Sequence, residues 1–151
     1  MNDEWRTPLD LFQKLDDEFS FDVDLCTNGE NSLCSKYSTD VEMFLQKGED
    51  KAGEVYWMNP PYSRGNIGKC METAYHLSEN HTVVCLVRFD PSAKWFQKWV
   101  DDRATEVRML DRRVKFQGAD SAYNFPCCIV VYHARDNDQL IMTEYFIWGW
   151  K

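Results

Sequence analysis

The stretch Val55-Tyr56-Trp57-Met58-Asn59-Pro60-Pro61-Tyr62 decides how the chain is read. Four apolar residues in a row predict a buried strand. Two adjacent prolines predict its end, because proline has no N–H to offer a central ladder and locks its own φ. The period then changes: Ile67, Cys70, Met71, Ala74 and Leu77 fall on one face of a helix. Thr82-Val83-Val84-Cys85-Leu86-Val87 returns to a continuous apolar run, as in a strand covered on both faces. Strand, loop, helix and strand in that order make the unit from which parallel sheets are built.

Upstream, Pro8 suits the first turn of a helix, with Thr7 as a candidate N-cap, and Leu11, Phe12 and Leu15 carry helical spacing to Phe19. Residues 21–25 alternate apolar and polar like a short strand and run into the polar loop 26–31, whose Asn28-Gly29 step marks a turn. Residues 32–53 are irregular apart from a short helix expected over Val41–Gln46. Downstream, Trp95, Phe96 and Trp99 predict a helix over residues 93–100. It is followed by a strand over Glu106–Leu110, a polar and basic stretch at 111–115, and strands near Cys127–Tyr132 and residues 145–148. The alternation predicts an α/β fold of three layers with a mainly parallel sheet, the late strands in hairpin-like succession supplying antiparallel edge strands. One compact domain over residues 1–151 is expected, with no internal repeat, linker or separate target-recognition domain.

Composition narrows the classes. With 44% hydrophobic and 28% charged residues the chain has the make-up of a globular protein, outside the range of disorder. The first residues carry no signal-peptide pattern and no apolar run approaches the ~18 residues of a membrane span, so neither secretion nor a membrane partner is expected. Six cysteines contain no C-x-x-C pair, and His76, His81 and His133 show no metal spacing. Free thiols and no metal site are the expectation. The net charge of −8 argues against a nucleic-acid partner until its distribution is read. Residues 1–54 hold 14 acidic and 5 basic side chains, whereas residues 55–151 hold 11 and 12. Either the later part faces phosphate, or the acidic residues merely solvate the first helix and its loops; composition leaves both open.

In open α/β sheets, ligands bind beyond the carboxyl ends of the strands, which singles out the loops after Leu25 and Met58. Asn59-Pro60-Pro61-Tyr62 has the residue types that methylation of a planar amine demands. The exocyclic amine of adenine is a poor nucleophile because its lone pair is delocalised into the ring. The Asn59 side-chain oxygen and the Pro60 carbonyl can accept its two N–H bonds and favour a pyramidal nitrogen, while Pro60 and Pro61 stiffen the loop so that both acceptors are preset. Tyr62 offers a flat face to a base flipped out of a duplex. The blander alternative is a strand end followed by a Pro-Pro turn.

Asn-Pro-Pro-Tyr after a buried strand resembles the hallmark of AdoMet-dependent amino-methyltransferases, and the chain is similar to the phage-type DNA N6-adenine methyltransferase (Dam) family over nearly its whole length. Glu4-Trp5-Arg6-Thr7-Pro8, Phe21-Asp22-Val23-Asp24-Leu25-Cys26 with Asn31 and Cys34, Trp95-Phe96, Arg113-Val114-Lys115-Phe116 and Phe125-Pro126 carry the similarity beside the catalytic loop. The resemblance implies a Rossmann-like methyltransferase sheet and an enzyme that transfers a methyl group from S-adenosyl-L-methionine to the N6 amine of adenine in double-stranded DNA. It also implies a role in modifying phage or prophage DNA to evade restriction in the cytoplasm of a bacterial host. Asn59, Pro60, Pro61 and Tyr62 would be catalytic, and Trp5, Thr7, Pro8, Asp24 and Cys26 would bind the cofactor. Physical chemistry adds that a strand-end carboxylate can meet ribose hydroxyls or an ammonium, and that amides at a helix start suit a carboxylate. Asp24 is favoured over Asp22. Unlike the wider superfamily, the chain has no Gly-x-Gly loop after its first strand; Cys26-Thr27-Asn28-Gly29 stands there instead.

DNA-contact candidates are Arg64, Lys69, Arg112, Arg113 and Lys115, each equally readable as a solvated surface cation. Phe116 and Phe125-Pro126 either line an adenine pocket or pack in the core. Without a recognition domain, base preference must be short or come from a partner, and a homodimer or a separate recognition partner stays open. The alternatives are methylation of another planar nitrogen, a protein glutamine amide or an RNA base, or a non-catalytic relative that binds DNA or AdoMet.

Overall fold

A computed structural model describes residues 6–61, 65–135 and 141–151. In chain order the elements are α1 (Leu9–Phe19), β1 (Val23–Asp24), β2 (Lys36–Tyr37), α2 (Val41–Gln46), β3 (Tyr56–Met58), α3 (Asn66–Leu77), β4 (Val83–Arg88), α4 (Lys94–Trp99), β5 (Glu106–Leu110), β6 (Cys127–Tyr132) and β7 (Glu144–Trp148). The seven strands form one sheet in the order β2-β1-β3-β4-β6-β5-β7.

Tyr56 and Trp57 are successive residues of β3, so their side chains leave opposite faces of the sheet. Phe44 of α2 meets the Tyr56 ring edge-on at 5.5 Å, and Phe12 of α1 meets the Trp57 ring edge-on at the same distance. Helix α1 therefore covers one face and α2 the other, giving the three expected layers. Helix α3 packs between α2 and α4. Strands β3, β4 and β6 are buried along almost their full length, which is why they read as unbroken apolar runs.

The sheet is mainly parallel: β1 pairs in parallel with β2 and β3, β3 with β4, and β5 with β7. Its antiparallel member differs in place from the expectation. Strand β6 lies inside the sheet, antiparallel to both β4 and β5, and the two edges, β2 and β7, run parallel to their neighbours. Only β5 and β6 behave as a hairpin; β7 passes β6 by and pairs with the far side of β5. Strand β2 was invisible in the irregular stretch because two residues are too few to show alternation.

The N-cap position of α1 is occupied by Pro8, with no side-chain cap. Thr7 is thus not the cap expected from the sequence, and its hydroxyl is spent elsewhere. All six cysteines are free thiols. Among the described residues no helix is long and apolar enough to cross a membrane.

Candidate active site

After β1 the chain turns outward to β2 and then crosses back over β1 to β3. The strand order reverses at that point, so the crevice opens between the carboxyl ends of β1 and β3. A cavity of about 630 Å³ lies there, within the range of small-molecule sites. Arg6 and Thr7 line it from the chain start, Asp24, Cys26, Thr27, Asn28, Asn31 and Leu33 from β1 and its loop, and Thr39, Asp40, Val41 and Glu42 from the entry to α2. Trp57, Asn59 and Pro61 contribute from β3 and its loop, and Asn66 and Cys70 from α3.

Asp24 is only 3% exposed. Its Oδ2 accepts the Leu33 N–H at 3.1 Å and its Oδ1 accepts the Cys26 N–H at 3.4 Å. Burial nevertheless outweighs these two bonds and raises its carboxyl above the usual 3.8. Asp22, the rival candidate, accepts the Val55 N–H at 2.8 Å and does not line the cavity. Asp40 caps α2 by accepting the Met43 N–H at 3.1 Å. With Asp24, Asp40 and Glu42 set against Arg6, the wall carries an excess of carboxylate suited to a cationic ligand. Where the sequence lacks a Gly-x-Gly loop, Gly29 takes a positive φ of 88°, and a Cβ there would meet the Tyr37 hydroxyl at 2.9 Å. Glycine serves here to seat the loop against β2.

The loop after β3 presents Asn59. Its Nδ2 donates to Thr7 Oγ1 at 3.0 Å, while its Oδ1 is buried with no hydrogen-bond partner among the described residues. The Trp57 Nε1 donor is orphaned in the same way. Both side chains line the cavity, and an unpaired buried donor and acceptor cost free energy unless a ligand satisfies them. Pro60 is buried behind Asn59, and Pro61 reaches the cavity wall. Thr7 is 2% exposed, and its carbonyl accepts the Gln117 Nε2–H at 2.7 Å. The backbones of Arg6 and Gln117 exchange hydrogen bonds at 3.3 and 2.9 Å, an isolated bridge that fastens the chain start to the segment after β5.

Cys26 and Cys70 both line the cavity, and the hydrogen bond they share, then burial, push the Cys26 thiol up. Pro8 is half-buried and does not line the cavity. Phe116 is in the core and Phe125 is half-exposed beneath the Arg88 guanidinium. Of the surface cations, Arg112 is paired with Asp111 at 3.0 Å, and Arg113 donates to the Asn124 carbonyl. Lys69 and Lys115 are exposed with no ion-pair partner among the described residues. Trp5, Tyr62 and Arg64 lie outside the described residues. Sequence reasoning missed Gln117, whose partners are more than a hundred positions away, and the Trp57 indole, read only as strand packing.

Fold and site define an open α/β protein wound on both faces, with a cofactor-sized acidic crevice at its topological switch point. The family whose model matches residues 1–143 is described as DNA N-6-adenine-methyltransferase (Dam), and the chain belongs to it. A protein of Haemophilus phage HP1 named DNA N-6-adenine-methyltransferase is 31% identical over 116 residues, 76% of this chain and 66% of that protein. One of Escherichia phage T1 with the same name is 29% identical over 118 residues, 70% of this chain and 48% of that protein. The chain thus spans between about half and two thirds of these relatives.

Proposed function

We propose that this chain transfers a methyl group from S-adenosyl-L-methionine to the N6 amine of adenine in double-stranded DNA, with phage or prophage DNA as its substrate. The observation that carries the reading is the buried Oδ1 of Asn59, without a partner among the described residues, in the wall of an acidic cavity. An acceptor held without a partner is what a weakly nucleophilic amine needs: it draws one N–H, localises the nitrogen lone pair and costs no reorganisation during reaction.

The residues present fit the cofactor. Asp24 would accept its ribose hydroxyls or meet its ammonium, the Trp57 indole N–H would donate to one of its acceptors, and Asp40 and Glu42 favour a cation. When bound, the cofactor supplies an electrophilic methyl on a sulfonium. The chain's own contribution is position: Pro60 and Pro61 hold the backbone after β3, and Asn59 holds the amine. Tyr62 would supply the stacking face for the flipped base. Arg64, Lys69, Arg112, Arg113 and Lys115 are the cations proposed to meet phosphate, Arg112 by exchanging its exposed contact with Asp111. The chain acts as one domain, with base preference limited to a short site or supplied by a partner.

Transfer of labelled methyl to adenine-unmethylated duplex DNA, followed by nucleoside digestion, tests the reading. N6-methyladenine is expected with the native protein, and Asn59→Ala is expected to lower kcat about 10²–10³-fold. Cofactor binding without labelled DNA would turn the proposal to RNA bases or protein amides; no cofactor binding at all would end it.

A further inference from the structure

An asparagine amide has a donor end and an acceptor end, and catalysis by Asn59 depends on which one faces the substrate. A donor turned toward an amine would repel its N–H groups, whereas an acceptor draws them. The Asn59 Nδ2 donates to the Thr7 hydroxyl at 3.0 Å, which leaves Oδ1 as the end with no partner among the described residues. Thr7 in turn is immobile for identifiable reasons. It is 2% exposed, β-branched and therefore stiff at χ1. Its carbonyl is held at 2.7 Å by Gln117 Nε2, and the Arg6–Gln117 bridge closes the arrangement from behind.

From this chain of contacts we infer that Thr7 and Gln117 are positioning residues for Asn59, with Thr7 setting the amide orientation and Gln117 clamping Thr7. The role stands beside the cofactor contact expected for Thr7 from its sequence position, since Thr7 also lines the cavity. It ties three segments distant in sequence, the chain start, the loop after β3 and the segment after β5, into one device. The inference rests on the methyl-transfer reading for its catalytic consequence, but the orientation itself is a property of the protein without any ligand. Pre-orienting one side-chain amide removes torsional freedom that the reaction would otherwise have to restrain.

The test compares Thr7→Val, which keeps the shape and removes the acceptor, with Thr7→Ser, which keeps the hydroxyl, and with Gln117→Leu. In the native protein without cofactor, the side-chain amide protons of Asn59 are followed by 15N-resolved NMR. They are expected to shift and lose exchange protection in Thr7→Val and to stay near native in Thr7→Ser. In the methylation assay, Thr7→Val is expected to lower kcat about 10–100-fold, with Thr7→Ser restoring most of it and Gln117→Leu intermediate. Calorimetric affinity for S-adenosylmethionine should stay within about twofold, a change of roughly 0.4 kcal/mol. Unchanged Asn59 amide protons in Thr7→Val overturn the inference, as does a weakened cofactor affinity with kcat intact or a Thr7→Ser protein as impaired as Thr7→Val. A native protein that methylates nothing while the amide protons respond as expected overturns the function proposed above and leaves the orientation standing.

Discussion

At the scale of single residues, Asp24 and Asn59 show two ways of keeping a polar atom ready for a ligand. Asn59 Oδ1 has no partner among the described residues, whereas Asp24 has two backbone donors that do not fully offset its burial. Because burial raises the folded-state value of Asp24 above the ordinary 3.8, its ionised form costs the folded protein stability. That cost is relieved as pH falls through the folded value. Asp24→Asn is therefore expected to melt no lower than the native protein at pH 7 in the absence of ligand. Its affinity for S-adenosylmethionine should fall about 10–100-fold, the loss of one charge-assisted hydrogen bond. Thermal melts with calorimetry check both parts; a variant that loses melting temperature and keeps affinity would make Asp24 a structural residue. The candidate role of Asp24 was legible because a strand end identifies which side chains reach the crevice. That of Gln117 was not, because nothing local marks a residue whose partner is the distant Thr7 carbonyl.

At the scale of elements, α1 is held to the sheet by contacts of opposite character. Phe12 packs against Phe21 and Trp57 at ring separations of 5.5 Å. At the other end, the Arg108 guanidinium of β5 forks onto the Glu18 carboxylate at 2.8 and 2.7 Å and also meets Glu106 at 3.1 Å. It lies among the rings of Phe19, Phe146 and Trp148, so one cation joins α1, β5 and β7. The hydrogen bonds from Arg108 hold Glu18 below the usual 4.5. A lowered carboxylate contributes stability that is complete above the ordinary value and is lost as pH falls through the folded one. Urea unfolding of native protein and Glu18→Gln should therefore differ by a constant amount near neutrality, and the difference should shrink once the pH drops below the ordinary 4.5 and vanish only below the folded value. A difference independent of pH would mean that Glu18 acts through packing alone. Helical elements were legible from period and strands β3, β4 and β6 from apolar runs; β2 was too short, and the partner of β7 is a matter of topology that no local pattern encodes.

At the scale of the molecule, one cluster of buried side chains runs from Leu11 in α1 to Trp150 near the chain end and takes in both faces of the sheet. The Asp10 carboxylate receives the Trp150 indole N–H at 3.2 Å and Lys151 at 2.6 Å, which brings the two ends of the described chain together. A core shared by every layer should be lost as a unit. Urea unfolding followed by tryptophan emission and by far-UV circular dichroism is expected to give coincident single transitions. Separated midpoints would break the single-domain proposal. The net charge of −8 belongs to this scale as well: it disfavours non-specific contact with DNA, so the proposed contact would depend on a few local cations rather than on the general field.

By itself the sequence determined the element types apart from β2, the layer count and the loop on which the proposed chemistry rests. Periodicity, proline punctuation and a tetrapeptide of defined donors and acceptors act over fewer than a dozen neighbouring residues. Only the tertiary structure decided that the antiparallel strand β6 sits inside the sheet, that Thr7 turns from the helix cap to Asn59, and that Gln117 stands behind Thr7. Each of these is a pairing across long stretches of chain, set by which buried polar groups and sheet edges find partners once the layers close. No window of sequence contains both members of such a pair.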